Sequence, residues 1–324
     1  LSPLLGVRDL AVTFGAQRPL DDVGFRVERG EILGLVGESG SGKSITAMTV
    51  MGLLPLVGGR VAAGSIRFED TELVGLEEPA YRRLRGGRIA LITQNPMTSL
   101  DPMVRIGRQV DRGARLHLGL DAATARARTL ELMERMRIPD AARVCELHPH
   151  QLSGGMKQRI VIAMALSGAP DLLIADEPTT ALDVIVQAQI VQLLVELVRE
   201  QRLGLVLITH DMGLVAQACD RVAVMYCGRI VESGPVDTMF AAPRHPYTRA
   251  LTACIPRPGL RHGDLVGIPG AVPSVAEMPT GCRFHPRCAD AVPTCRQHAP
   301  RSVAIGADHA VACRLVEPAP EAAP

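Results

Sequence analysis

The stretch Gly37-Glu38-Ser39-Gly40-Ser41-Gly42-Lys43-Ser44 has the spacing G-x-x-x-x-G-K-[ST] and lies between an apolar segment, residues 32–36, and an amphipathic one. Cradling phosphate is the chemistry such a stretch serves. Its glycines let backbone N–H groups curl around phosphate oxygens, and a helix start adds the positive end of a dipole. Lys43 would hold the β- and γ-phosphates of a nucleoside triphosphate, and Ser44 would ligate Mg2+. Lys43 also stands out by rarity, because the only other lysine is Lys157.

A second group of residues suits the cleavage of such a phosphate. Asp176 ends the apolar run Leu172-Leu173-Ile174-Ala175, where its carboxylate could order Mg2+ through water; Glu177 beside it is placed to polarise the attacking water. His210 follows another apolar run and suits a side chain reaching the γ-phosphate, while Gln94, after residues 89–93, could ligate the metal or a water. A third feature is Leu152-Ser153-Gly154-Gly155-Met156, which opens a helical segment. Ser153 and the N–H groups of Gly154 and Gly155 make another anion-binding helix start. The chain's own Lys43 already serves one nucleotide, so this second start needs a phosphate from elsewhere.

The elements that must carry these residues can be read from periodicity. Residues 4–36 alternate apolar and polar positions and then become uniformly apolar, which predicts an antiparallel edge layer leading into a buried strand. A helix follows Lys43 and stops by Pro55. Strands are expected near 66–68, 88–93, 172–175, 205–209 and 222–226, and helices over 156–166 and 184–198. Between about 103 and 150 the pattern turns helical, which predicts an insertion between two halves of a sheet. After about 235 the prolines, Pro243, Pro246, Pro256, Pro258 and Pro293 among them, are expected to break every helix and leave a loop-rich appendix with a disordered tail beyond Cys313.

Taken in order, these motifs over residues 5–235 resemble the ABC family of ATPases. The resemblance implies an α/β fold, a P-loop NTPase nucleotide-binding domain with a RecA-like core, an antiparallel β subdomain and a helical subdomain near 95–165. The domain would occupy residues 1–235, and residues 236–324 would form a Cys-containing regulatory and metal-binding extension with a disordered tail. The family assigns Gly37–Ser44 to Walker A, Gln94 to the Q-loop, Leu152–Met156 to the signature, Asp176 and Glu177 to Walker B with the catalytic glutamate, Ala181-Leu182-Asp183 to the D-loop and His210 to the switch. Phe14 sits where the family places an aromatic that stacks on adenine. In that family the signature contacts ATP bound by a second subunit.

Three blocks narrow the resemblance to the oligopeptide/dipeptide and nickel importer group: Gln94–Pro102, His245-Pro246-Tyr247-Thr248-Arg249-Ala250-Leu251, and Gly281-Cys282-Arg283-Phe284-His285-Pro286-Arg287-Cys288. That implies an ATP-binding and hydrolysing subunit powering peptide import, with nickel or glutathione-type import as the alternative. Its partners would be a second, similar ATPase chain in a heterodimer, two transmembrane permease subunits and an extracytoplasmic binding protein. It would dock on the cytoplasmic face of the bacterial inner membrane, with residues about 95–115 lining the contact. A soluble ABC ATPase of nucleic acid or ribosomes is the rival class. The net charge of +1 and the lack of a basic stripe count against nucleic acid as a partner.

Of eight cysteines, four crowd the end as Cys282-x5-Cys288-x6-Cys295-x17-Cys313. The spacing is neither that of zinc-finger pairs nor of ferredoxins. Four thiols in Pro-rich chain still predict a metal staple, with Arg283, Arg287 and Arg296 stabilising thiolates and His285, His298 and His309 available for mixed zinc ligation. The resemblance favours a [4Fe–4S] cluster over Zn2+. Hydrophobic residues make up 47% of the 324, ample for a core, yet aromatics only 2%. No apolar run reaches the roughly eighteen residues that cross a bilayer.

Overall fold

A computed structural model describes residues 2–180, 182–255 and 267–316. Ala181 of the expected D-loop, Pro256, Pro258 and the tail from 317 lie outside the described residues. The chain divides into two compact units.

The first unit gathers Val27–Ile32 and Phe68–Ile208, with the few residues up to Leu5. Its centre is a parallel ladder in which Leu172–Asp176 pairs on one side with Ile89–Ile92 and on the other with Gly204–Thr209. Residues Leu172 to Ala175 are buried without a break, as expected for strands covered on both faces. Asp176 is the first residue of that strand to reach partial exposure. Burial here lifts the strand end, and with it Glu177, out of an apolar floor.

Helices Ile106–Leu118, Ala122–Arg135 and Ala141–Glu146 fill the expected insertion. The first buries Ile106, Val110 and Ala114, spaced by four, and packs on Ala122–Arg135 and Gly154–Leu166. Burying Ile106 and Val110 contributes about 1.5–3 kcal/mol each. Two helices are capped by residues of interest: Ser153 accepts the Met156 N–H at 3.3 Å, and Asp183 accepts the Val186 N–H at 3.0 Å. Capping by Ser or Asp stabilises a helix start by about 1 kcal/mol.

A four-charge network ties this unit's edge. Arg29 and Arg88 both pair with Glu69 and Asp171. Burial alone would raise both carboxyls, but the arginine hydrogen bonds outweigh it and hold their pKa values below the usual range. A depressed folded-state pKa gives stability that is present above the unfolded value and lost as pH falls through the folded one. The melting temperature should therefore fall on acidification below about pH 4, and less steeply in Asp171→Asn; an identical pH slope in that variant would refute the assignment.

The second unit holds Gly6–Arg26, Leu33–Arg67 and the chain from Thr209. Strand Ile32–Val36 runs parallel to Arg221–Tyr226, with Leu35 opposite Ala223. Arg229–Pro235 turns back antiparallel to Arg221–Tyr226, and Ala310–Val311 from the extension adds antiparallel to Arg229–Pro235. The extension thus continues the sheet. Its prolines do not break every helix: Pro246 opens Pro246–Ala253 and Pro293 opens Pro293–Gln297. Proline in the first turn forgoes an N–H that has no helical partner anyway, so it starts these helices. Among the described residues no helix is long and apolar enough to cross a membrane.

Candidate functional site

In the second unit the phosphate loop leaves the buried strand Ile32–Val36 and enters helix Lys43–Val50. Close approach explains its first glycine: a Cβ on Gly37 would lie 2.1 Å from the Met225 carbonyl oxygen. The Lys43 ammonium sits in the curl, donating to the carbonyls of Gly37 at 2.8 Å and Glu38 at 3.0 Å. Ser39, Gly40 and Ser44 are exposed, while Ser41 is buried and Gly42 half-buried. A rigid loop with a central ammonium and an exposed hydroxyl at the helix start fits a magnesium nucleotide. Phe14 ends strand Leu5–Phe14 partly buried, with its ring edge against Gly59. His210 is exposed just past strand Gly204–Thr209, in the same unit as the loop.

The first unit holds the other residues. Glu177 adopts φ of 46°, a left-handed conformation uncommon for a residue with a Cβ. Three bonds over-determine it. Its N–H donates to Ile208 O at 2.9 Å, its Oε2 accepts Gln94 Nε2 at 3.0 Å, and the same oxygen accepts the Thr180 hydroxyl at 3.0 Å. Gln94 and Glu177 are therefore brought together, and Thr180 joins them. Sequence reasoning missed Thr180, although it lies one turn beyond Glu177. Strained backbone held by neighbours is a mark of functional positions.

The signature segment starts helix Gly154–Leu166 with Ser153 and Gly154 exposed and Leu152 buried. A Cβ on Gly155 would lie 3.0 Å from Val186, so the two helix starts at Gly154 and Val184 are in close contact. Met156 is half-buried, and Asp183 serves its own helix as cap. Along the expected docking segment, Met97 is 60% and Met103 83% exposed.

The iron–sulfur expectation is overturned. Cys282, Cys288, Cys295 and Cys313 border one cavity of about 10 Å3. Yet among the described residues no group of three or more His, Cys, Asp or Glu side chains is placed to hold a metal ion, neither a [4Fe–4S] cluster nor Zn2+. The physical reason lies in the arginines. Arg283 serves the Cys227 carbonyl and Asp21, and Arg287 serves Glu38, so their hydrogen bonds go elsewhere than to the four clustered thiols. Burial instead pushes the thiols of Cys282, Cys288 and Cys313 up, toward the protonated form. His309 is paired with Glu232 at 2.8 Å, and the His285 ring contacts the Cys282 carbonyl.

Comparison with known proteins bears on both halves of the chain. Residues 20–180 match the family described as ABC transporter, and residues 231–295 match the oligopeptide/dipeptide transporter C-terminal region. The chain is 47% identical over 307 residues to a dipeptide transport ATP-binding protein, DppD, of Haemophilus influenzae, covering 94% of this chain and 93% of that one. It is 43% identical over 321 residues to the oligopeptide transport ATP-binding protein AppD of Bacillus subtilis, covering 98% of each. Among solved structures it is similar to cbiO1 of Clostridium perfringens, part of the ABC transporter complex cbiONQ. There the TM-score is 0.66 at 28% identity, over 75% of this chain and 92% of that one.

Proposed function

Because this chain belongs to the ABC transporter family, we propose that it is the ATP-binding and hydrolysing subunit that powers import of di- and oligopeptides into a bacterial cell. The observation that carries this reading is the reach of the similarity into the extension, since residues 231–295 match the C-terminal region of peptide transporters as well as the ATPase core matching ABC proteins. As such a subunit it works with membrane permeases and a substrate-binding protein. We place it on the cytoplasmic face of the inner membrane, paired with a second, related ATPase chain. The exposed Met97 and Met103 offer an apolar surface for a permease segment.

In this reading Lys43 and the N–H groups of residues 39–44 hold the β- and γ-phosphates, and Phe14 stacks on adenine. Ser44, Asp176 and Gln94 hold Mg2+, which supplies charge neutralisation at the transferred phosphoryl group. Glu177 takes the proton of the attacking water, with Gln94 and Thr180 fixing its carboxylate. His210 contacts the γ-phosphate. Ser153, Gly154 and Gly155 receive the γ-phosphate held by the second ATPase chain, and Asp183 sets the helix beside them.

Reconstitution tests the assignment. The chain should co-purify with two membrane subunits, and its ATPase rate in the assembled transporter should rise several-fold with peptide-loaded binding protein. Recovery on nucleic acid, with no response to peptide, would refute it.

A further inference from the structure

The chain has three tyrosines and five phenylalanines, and three of these aromatics meet at one place. Tyr226 and Tyr247 lie 4.7 Å apart, and Phe284 lies 5.1 Å from the first and 5.3 Å from the second. Tyr226 is a strand residue, whereas Tyr247 and Phe284 come from the extension. Aromatic clusters of this kind are rigid anchors. This one is attached to the phosphate loop, because the Tyr247 hydroxyl oxygen accepts the Glu38 backbone N–H at 3.0 Å.

Arg287 completes the attachment. Its side chain is only 5% exposed, and its two terminal nitrogens donate to the Glu38 carboxylate at 2.6 and 3.0 Å. The remaining N–H groups go to Pro269 O at 2.8 Å, Ile268 O at 3.3 Å and the Tyr226 hydroxyl at 3.4 Å. Every donor of this guanidinium thus has an acceptor. Glu38 is held at its N–H by Tyr247, at its carbonyl by Lys43 and at its carboxylate by Arg287. A second brace runs in parallel. The Gly228 N–H donates to Ser41 O at 2.7 Å, and Arg283 holds the neighbouring Cys227 carbonyl. Only glycine fits at 228, where a Cβ would lie 1.8 Å from the Pro19 carbonyl oxygen.

Two physical needs are met at once. A glycine-rich loop is costly to hold in one conformation, and its N–H groups bind phosphate well only if already convergent. A carboxylate inside a phosphate-binding loop also repels its ligand unless it is neutralised. We propose that Arg287 and Tyr247 are positioning residues for ATP binding: they fix the phosphate loop through Glu38, and Arg287 shields the incoming phosphates from that carboxylate. The inference rests on residues 37–44 being the phosphate site.

Equilibrium binding of ATP to the full chain, with steady-state kinetics of the assembled transporter, tests it. Arg287→Met should raise both the Kd and the KM for ATP about tenfold, as expected when a buried charge pair is broken from one side, with kcat changing less than about twofold. Arg287→Lys, which keeps charge but loses the bidentate fork, should fall between. Adding Glu38→Gln to Arg287→Met should recover most of the lost affinity by removing the bare carboxylate. Arg249→Ala breaks only an exposed pair with Asp290 in the same extension and should leave ATP affinity unchanged. A folded Arg287→Met chain with ATP affinity within about twofold of the parent, or no recovery on adding Glu38→Gln, would overturn the proposal. Lys43→Ala separates the underlying reading, since undiminished ATP binding in that variant would remove the phosphate site itself.

Discussion

Glu177→Gln should bind ATP as the parent does and lose about a hundred- to ten-thousand-fold in turnover. The substitution keeps the shape of the side chain. Its amide oxygen can still accept from Gln94 and Thr180, which both meet Oε2 at 3.0 Å, so the left-handed backbone and its supports should survive. What disappears is the group that takes a proton from water. Glu177 is not among the groups assigned to hold the phosphates, the adenine or Mg2+, so nucleotide affinity should not change. Equilibrium ATP binding beside phosphate release from the assembled transporter gives both numbers. Hydrolysis at the parental rate would end the assignment of Glu177 as general base.

Ser153→Arg should likewise spare ATP binding at the chain's own Lys43, yet cut steady-state hydrolysis in the assembled transporter by about a hundredfold. Ser153 is exposed, and its one described side-chain bond is the cap to Met156 N–H at 3.3 Å. Loss of that cap costs about 1 kcal/mol, too little to unfold a domain. An arginine there instead fills the space before the N–H groups of Gly154 and Gly155, where a second chain's nucleotide would bring its γ-phosphate. Normal melting with normal ATP affinity and low turnover is the expected combination. Unchanged turnover would mean that the signature serves no partner.

Both variants rest on residues that short-range patterns expose. The phosphate loop, the acidic strand end and the signature each occupy a few consecutive positions, and each is followed or preceded by an apolar run whose period reveals the element carrying it. The strands Leu172–Asp176 and Gly204–Thr209 and helix Val184–Gln201 stand within a few residues of their expected limits for that reason. Proline was harder, because its meaning depends on whether a helix has begun. His245 caps the helix that Pro246 opens, through Nδ1 accepting the Tyr247 N–H at 3.0 Å. A breaker and a starter look alike in composition. The cysteines misled for another reason. Their number and nearness in sequence were visible, but the direction of Arg283 and Arg287 was not, and those arginines turn toward Asp21 and Glu38. The Arg287 to Glu38 pair spans 249 residues, and no local pattern encodes a contact of that reach.

The aromatic brace has an optical consequence. The chain contains no tryptophan, so its near-ultraviolet absorption and emission belong to three tyrosines. One, Tyr81, is buried beneath Arg85 in the first unit. The other two are Tyr226 and Tyr247, packed against each other, with the hydroxyl of one on the phosphate loop. Two of the three native chromophores therefore stand at the loop's own anchor, and the unlabelled protein carries a spectroscopic reporter of its state.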